Sequence, residues 1–570
     1  MKKVSLLIAL CYVISFAQTG ARYLIITHDD FYNAIQPLAQ WKHKKGMKTE
    51  VVKTSETGSS QEQILAYIQN AYNTWDIQPA YLLLVGAPNF IPFPTSGFFV
   101  HTDNYYGNMD GDLFNEILPG RLTVHNTAEA QNVVNKILLY ERTPYMTDTM
   151  WFIRAVGIVR MDYYGPDDSI YWSDIHQMKN YMLNADYDLV DTLSSLYGDD
   201  KYDVYDKVNL GRSFVLYRGQ GVGNWWSPFD CDPSQTNNGA RLPIVLSLTC
   251  STIGSGSSPA GAEMWFLTGS VANPKGASGY FATTTTISNG AHLRSAVSTG
   301  FFDAIFRYGK RTFGQACEGG RMKVYNMYSS ENEYKGFNTI GDPEMNIWTA
   351  IPKDLDVTHD SSIPTGNQSY TVTVMDNGTP INRAVVCLLK GTEVYAVDST
   401  GTNGIVVLSI NPQYVGTMDV TVTCYNYYPY EGTCSVTGST PNVSVTVTPS
   451  STTVPQGGAL GYTPYIINNG GTAVTFQYWT DIILFNGQPY GGNPIFGPAQ
   501  LTLQPAQSRS RLLNINIPGS APLGIYTLYS RIGWNPNDIW DEDYFEFTIT
   551  SSDQAGKENN RNFGSLEPEF

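Results

Sequence analysis

Charge is sparse in this sequence. Only 15% of its 570 residues are Asp, Glu, Lys or Arg, and the basic ones are outnumbered, 35 against 51. The formal charge of −16 and pI near 4.9 leave no basic face for a phosphate backbone, so nucleic-acid binding is excluded. Cysteine is scarce as well. The chain has seven, too few and too scattered for a disulfide scaffold, and no two are spaced CxxC as zinc clusters require. Beyond the N-terminus no apolar run approaches the roughly 18 residues of a membrane span. No segment recurs at a fixed period of about 20–50 residues, which excludes a solenoid.

What is present begins with "MKKVSLLIALCYVISFAQTGA". Lys2 and Lys3 precede an apolar run from Val4 to Phe16, and Ser15 and Ala17 are small. Residues 1–17 therefore read as a signal peptide cleaved after Ala17, and the protein is expected to be secreted or held at the cell surface by a partner. Only a few residues separate that site from the first strand, which leaves no room for a long pro-domain. An acidic surface suits a soluble exported protein.

The hydrophobic content of 42% and aromatic content of 13% describe folded material long enough for several domains. Residues 21–351 alternate short apolar strands with amphipathic helices. "RYLIIT", "AYLLLVG", "SFVLYRG" and "PIVLSLTC" are apolar throughout, the pattern of a mostly parallel sheet covered on both faces. In "DDFYNAIQPLAQWKHKKG" Phe31, Ile35, Leu38 and Trp41 have helical spacing. Residues 353–438 change to short Thr/Val-rich strands with turns such as "DNGTP", expected to form a β-sandwich. A linker leads to a second all-β module over 441–551, and the polar tail 552–570 reads as disordered. Cys387, Cys424 and Cys434 share the first β-rich segment, where an oxidising compartment would allow a disulfide, its pairing left open.

Two strand ends carry the chemistry. Cys250 closes "LPIVLSLTC", at the carboxyl edge where open α/β sheets place their sites. Thr252, Gly254 and Gly256 follow and can turn backbone N–H groups towards an oxyanion. The plainer alternative is a small buried core thiol. The other strand, "VLYRGQGVGNWW", runs into Gly219-Gln220-Gly221 and a tryptophan pair.

The segments "AIQPLAQWKHKKGMKTEVV", "YLLLVG", "DNYYGNMDGD", "NEILPGRL", "YRGQG", "LSLTCSTIG" and "GDPEMNIW" occur in the order seen in the gingipain family of secreted cysteine peptidases. The chain resembles that family over Arg22 to Gly438. The resemblance implies a caspase-like α/β domain followed by an immunoglobulin-like domain. It makes Cys250 the nucleophile, and Gln220 stands where the family has its catalytic His. A neutral amide cannot shuttle protons, and losing a general base costs about 10² to 10⁴ in rate.

By the same resemblance the Gly221 and Cys250 N–H groups form the oxyanion hole. Glu116 matches an acid near the dyad, Glu129 an acid of the substrate pocket suited to Arg or Lys, and Trp225 and Trp226 line an aromatic crevice. His292 is the best placed substitute base. The loop holding Asp103, Asn108, Asp110 and Asp112 matches a structural Ca²⁺ site without the EF-hand register; the alternative is an Asx-rich turn. No cofactor is expected for catalysis. The expected function is peptide-bond hydrolysis through a thioester, impaired by Gln220. The alternative is an inactive pseudo-peptidase binding partners at a surface, through its crevice or its β-sandwich domains.

Overall fold

The computed structural model describes residues 19–97, 100–162, 165–438, 441–536, 538–552 and 564–565. The expected signal segment 1–17 lies outside them. Two compact units meet in sequence at Thr437 and Gly438.

The first unit is built on a ten-stranded sheet. In chain order its strands are β1 (Tyr23–Thr27), β2 (Thr49–Lys53), β3 (Tyr81–Val85), β4 (Leu118–Leu122), β5 (Arg154–Val159), β6 (Leu189–Ser194), β7 (Phe214–Arg218), β8 (Ile244–Leu248), β9 (Gly279–Thr283) and β10 (Phe337–Ile340). The spatial order is β2-β1-β3-β4-β10-β9-β8-β7-β5-β6. Every neighbouring pair is parallel except β9 and β10. Two five-stranded parallel halves therefore run in opposite directions and join at one antiparallel seam.

The strand sequences explain the layering. β1, β3, β7, β8 and β9 are buried at every position, as strands covered on both faces must be. Tyr23 and Ile25 pack in one apolar cluster with helices α1 (Tyr32–Lys44) and α3 (Thr127–Glu141). Leu24 and Ile26 point the other way, onto α2 (Gln61–Thr74) through Ile64, Ile68 and Ala71. In α1 the spaced residues Ile35, Leu38 and Trp41 are all buried, and Ser60 and Gln63 form a capping box at the start of α2.

One turn of α1 departs from the usual solvated lysine. Lys42 is buried, with Nζ 2.6 Å from Glu141, 2.5 Å from Asp342 and 2.7 Å from Glu344. Lys45 lies 2.5 Å from Glu141 and 2.6 Å from Glu344. Burial alone would raise the Glu141 carboxyl, but the two ammonium groups outweigh it and hold it down at about 2. Burial first, with Glu141 and Asp342 adding to it, pushes Glu344 up against the same two lysines. The cluster ties α1 to the end of α3 and to the "GDPE" segment after β10.

Residues 356–437 form two facing sheets around a core of Tyr370, Val372, Val386, Leu388, Val420 and Val422. This sandwich docks on α1 within the first unit. His43 stacks on Tyr395 at 4.3 Å, and Arg142 makes a two-pronged pair with Glu431 at 2.7 and 2.8 Å. The second unit is another pair of sheets, with a core that includes Tyr462, Phe476, Tyr478, Tyr526 and Phe547. Gly564 and Ser565, in the tail expected to be disordered, pair with Asn516 and Ile515 as a short edge strand.

All six described cysteines are free, so no disulfide forms among Cys387, Cys424 and Cys434. Cys387 instead packs at the seam with α1, its sulfur 3.9 Å from the His43 carbonyl. No helix among the described residues is long and apolar enough to cross a membrane.

Candidate active site

β7 and β8 are adjacent and parallel, with Arg218 opposite Leu248. Gln220 and Cys250 each stand two residues beyond that pair, so strand register alone brings both to one carboxyl edge. They line a single cleft of about 460 Å³, with walls from Asp162, Tyr171, Trp226, Thr286, Ile287 and Arg294.

Arg218 holds this edge together. Its buried guanidinium donates to the Leu248 carbonyl at 2.6 Å and the Ala291 carbonyl at 2.8 Å, and it pairs with Asp174. β7, β8, helix α4 (Asp168–Leu183) and helix α6 (Ala291–Phe302), which follows helix α5 (Lys201–Asn209) in the chain, are thereby fastened at one point. The glycines flanking Gln220 have steric reasons. Gly219 adopts φ +151°, and a Cβ there would lie 2.6 Å from the Arg160 side chain. A Cβ on Gly221 would lie 2.6 Å from the Asn224 carbonyl.

The chain turns sharply after Cys250. Ser251 has φ 33°, in the left-handed region that L-residues disfavour. The turn is held by Ser251 N–H to the Thr285 carbonyl at 2.8 Å, Thr252 N–H to the Thr283 carbonyl at 3.0 Å, and Gly223 N–H to the Ser251 carbonyl at 2.8 Å. Cys250 is partly accessible, whereas burial pushes Cys317 and Cys387 up to about 12 and raises Cys231, Cys424 and Cys434 as well. Those five are poor nucleophiles.

The partner of Cys250 is one that the sequence did not announce. Arg294, on α6 and 5% exposed, donates from Nη1 to the Cys250 sulfur at 3.1 Å. Its Nε lies 3.5 Å from Glu333, whose other oxygen accepts from the Thr285 hydroxyl. Gln220 turns to a different neighbour, donating from Nε2 to Asp162 at 2.6 Å. Asp162 is also paired with Arg160, whose guanidinium lies over Trp226.

Among the described residues no histidine lines this cleft. His292 is exposed and rests edge-on against Tyr328 at 5.0 Å, outside the walls. A second cavity of about 410 Å³ shares Thr286 and Ile287 with the cleft and contains His101, Ser255, Asn332 and Glu333. His101 Nδ1 faces the Phe93 carbonyl at 3.1 Å.

Several residues expected at the site lie elsewhere. Trp225 is buried, stacked on Tyr217 at 4.5 Å and donating to Ser247 at 2.8 Å, so only Trp226 of the pair faces the cleft. Glu129 sits in the first turn of α3, accepting from the His125 N–H at 2.8 Å, and belongs to neither cavity. Glu116 is likewise absent from both walls and accepts from the Met109 N–H at 2.7 Å. It stands with Asp110 and Asp112, their carboxylate oxygens within 4.8 Å of one another. Asp103 is buried and satisfied by Arg121 at 2.6 and 2.9 Å, which removes it from that group. Asn108 braces the loop, accepting from the Gly111 N–H at 2.8 Å.

A strand-end thiol, with a paired strand-end position beside it, lies at the carboxyl edge of an α/β sheet of caspase-like fold. The model of peptidase family C25 matches residues 16–348, and the chain belongs to that family. Lys-gingipain of Porphyromonas gingivalis is 24% identical over 453 residues, covering 72% of this chain and 25% of the relative. Gingipain R2 of the same species is 25% identical over 402 residues, covering 64% and 52%. The chain thus spans a quarter to about half the length of these relatives. The crystal structure of the Arg-specific cysteine proteinase gingipain R superposes with a TM-score of 0.65 at 20% identity, covering 73% of this chain and 98% of that one.

Proposed function

We propose that the chain is an exported protein of gingipain-like peptidase architecture, in which Cys250 attacks peptide carbonyls and Gln220 impairs the turnover. The observation that carries this reading is the register. Cys250 and Gln220 occupy equivalent positions beyond Leu248 and Arg218 and share one cleft. Attack would give a thioester, with the Cys250 and Gly221 N–H groups serving the oxyanion. Expulsion of the amine then lacks an acid, because Gln220 carries no titrating proton.

Gln220→His tests this directly. Placed beside Asp162, an imidazole would have both the thiol and an orienting carboxylate within its cleft. Peptide hydrolysis should rise by about 10² or more over the wild type. No gain in a variant that folds normally would leave the second reading, a surface protein that binds peptides without cleaving them. That reading is favoured by Gln220 turning to Asp162 and by cleft walls that, among the described residues, carry no histidine.

The preference for Arg or Lys expected from Glu129 loses its acid here. The carboxylate in the adjoining cavity, Glu333, already faces Arg294. The Ca²⁺ proposal passes to Asp110, Asp112 and Glu116, whose clustered oxygens suit a hard cation. The immunoglobulin-like character of the first sandwich and a surface partner for either sandwich remain part of the same proposal.

A further inference from the structure

Resting on the reading of Cys250 as an acyl-accepting nucleophile, we infer that Arg294 is the counter-ion of a Cys250 thiolate. The pair favours carbonyl substrates whose leaving group departs as an anion, so that esters and thioesters react far faster than amides.

Arg294 is buried, and its Nε and Nη2 make no hydrogen bond among the described residues. A guanidinium has donors only and keeps its charge. Its contact with Sγ therefore offers a fixed positive charge and an N–H to whatever negative charge the sulfur carries. Glu333, fully buried, is the other anion it faces. The remaining charged and titratable groups of the cleft are occupied or peripheral. Asp162 is held by Arg160 and Gln220, Arg218 by Asp174, Asp167 is a partly exposed residue of the lining, and burial pushes Tyr171 up to about 12.

The chemistry follows from what these groups can donate. The thiolate attacks the carbonyl carbon of an ester. A C–S bond forms, the C–O bond breaks, and the electron pair leaves on the alkoxide or phenolate with no proton moved. A thioester exchanges in the same way, releasing a thiolate. An amide nitrogen must gain a proton before it leaves. A guanidinium keeps its protons, and the Gln220 amide has none to give. Hydrolysis of the resulting acyl-Cys250 needs an activated water, and no imidazole among the described cleft residues can provide it. The acyl-enzyme should accumulate.

The full chain mixed with p-nitrophenyl acetate should release a burst approaching one p-nitrophenolate per chain, while the matching p-nitroanilide is cleaved at least about 10²-fold more slowly. Cys250→Ala should abolish the burst. The double variant Arg294→Met with Glu333→Gln leaves neither charge buried alone. It should slow the burst about tenfold or more at pH 6.5 and much less at pH 9, where a thiol ionises unaided. Arg294→Lys should keep most of the rate and the pH profile. Should the double variant not fold, Arg294→Gln against Arg294→Lys makes the same comparison. A folded double variant with the wild-type rate and profile overturns the inference, as does a wild type with no burst. A persistent burst with no gain of amide hydrolysis in Gln220→His would sink the peptidase reading alone.

Discussion

Single residues decide the chemistry here, and their neighbours decide what they can do. Cys250 is partly accessible where Cys231, Cys317, Cys387 and Cys434 are buried, and Arg294 donates to its sulfur; Gln220 differs from a histidine in having no basic nitrogen to take up a proton. Away from the site, Lys42 shows the same dependence on neighbours. With three carboxylates within 2.7 Å of its ammonium, Lys42→Met should cost about 3–5 kcal/mol at pH 7, because buried anions lose their counter-charge. Glu141 gives the acid-side part of the pH effect, while Glu344, held up rather than down, contributes with the opposite sign. The folded Glu141 carboxyl sits near 2, below an ordinary value of about 4.3. It therefore adds stability above about pH 4.3, and that contribution disappears as the pH falls through about 2. In Lys42→Met the carboxylates should instead gain stability on protonation. The gap between variant and wild type, measured by urea unfolding, should be widest at pH 7 and narrower at pH 4.5. A gap independent of pH would show that Lys42 acts by packing alone.

At the scale of elements, the phases of strands and helices account for most differences between expected and observed sites. Trp225 and Trp226 are consecutive in an extended segment, so they face opposite sides, and only one can meet the cleft. His292 and Arg294 are two positions apart on α6, about 200° around the axis. When Arg294 turns inward to Cys250, His292 is carried outward to Tyr328. The histidine was the more conspicuous residue in sequence, but the helix presents its neighbour. The acidic loop makes its own prediction. If Asp110, Asp112 and Glu116 hold Ca²⁺, EDTA should lower the melting temperature and added calcium restore it, since a ligand of the folded state alone stabilises it. Asp110→Asn with Asp112→Asn should remove the calcium response. Identical melting curves with EDTA and with calcium would leave the loop as an Asx-rich turn.

At the scale of the whole molecule, the first sandwich and the α/β domain form one compact unit ending at Thr437. Gly46, with φ +96°, passes so close to the sandwich that a Cβ would lie 2.9 Å from Val397. Together with the His43–Tyr395 stack and the Arg142–Glu431 pair, this predicts joint unfolding. A chain ending at Thr437 should keep the main calorimetric transition, whereas one ending near residue 351 should melt lower and expose α1 to proteolysis. Equal melting temperatures for the two would show that the sandwich adds nothing to the α/β domain.

Continuous apolar strands, helical spacing in α1 and a cysteine at a strand end were legible because burial on both faces and amphipathic periodicity are written in local sequence. Those features carried the α/β class and the mostly parallel sheet; the resemblance to a known family supplied the caspase-like fold and the pairing of the Cys250 and Gln220 positions. The antiparallel seam between β9 and β10 was not legible, because strand direction depends on which distant strands pair. Neither was Arg294, which reaches Cys250 from 44 residues along the chain. The same holds for the removal of Asp103 from the metal loop by Arg121 and for the separation of Glu116 and Glu129 from the cleft. An arginine's role is set by whatever its long side chain meets across a helix–sheet packing, and a carboxylate's by whether a cation is folded against it. Composition and periodicity do not encode those meetings; only the tertiary structure brings the partners within hydrogen-bond reach.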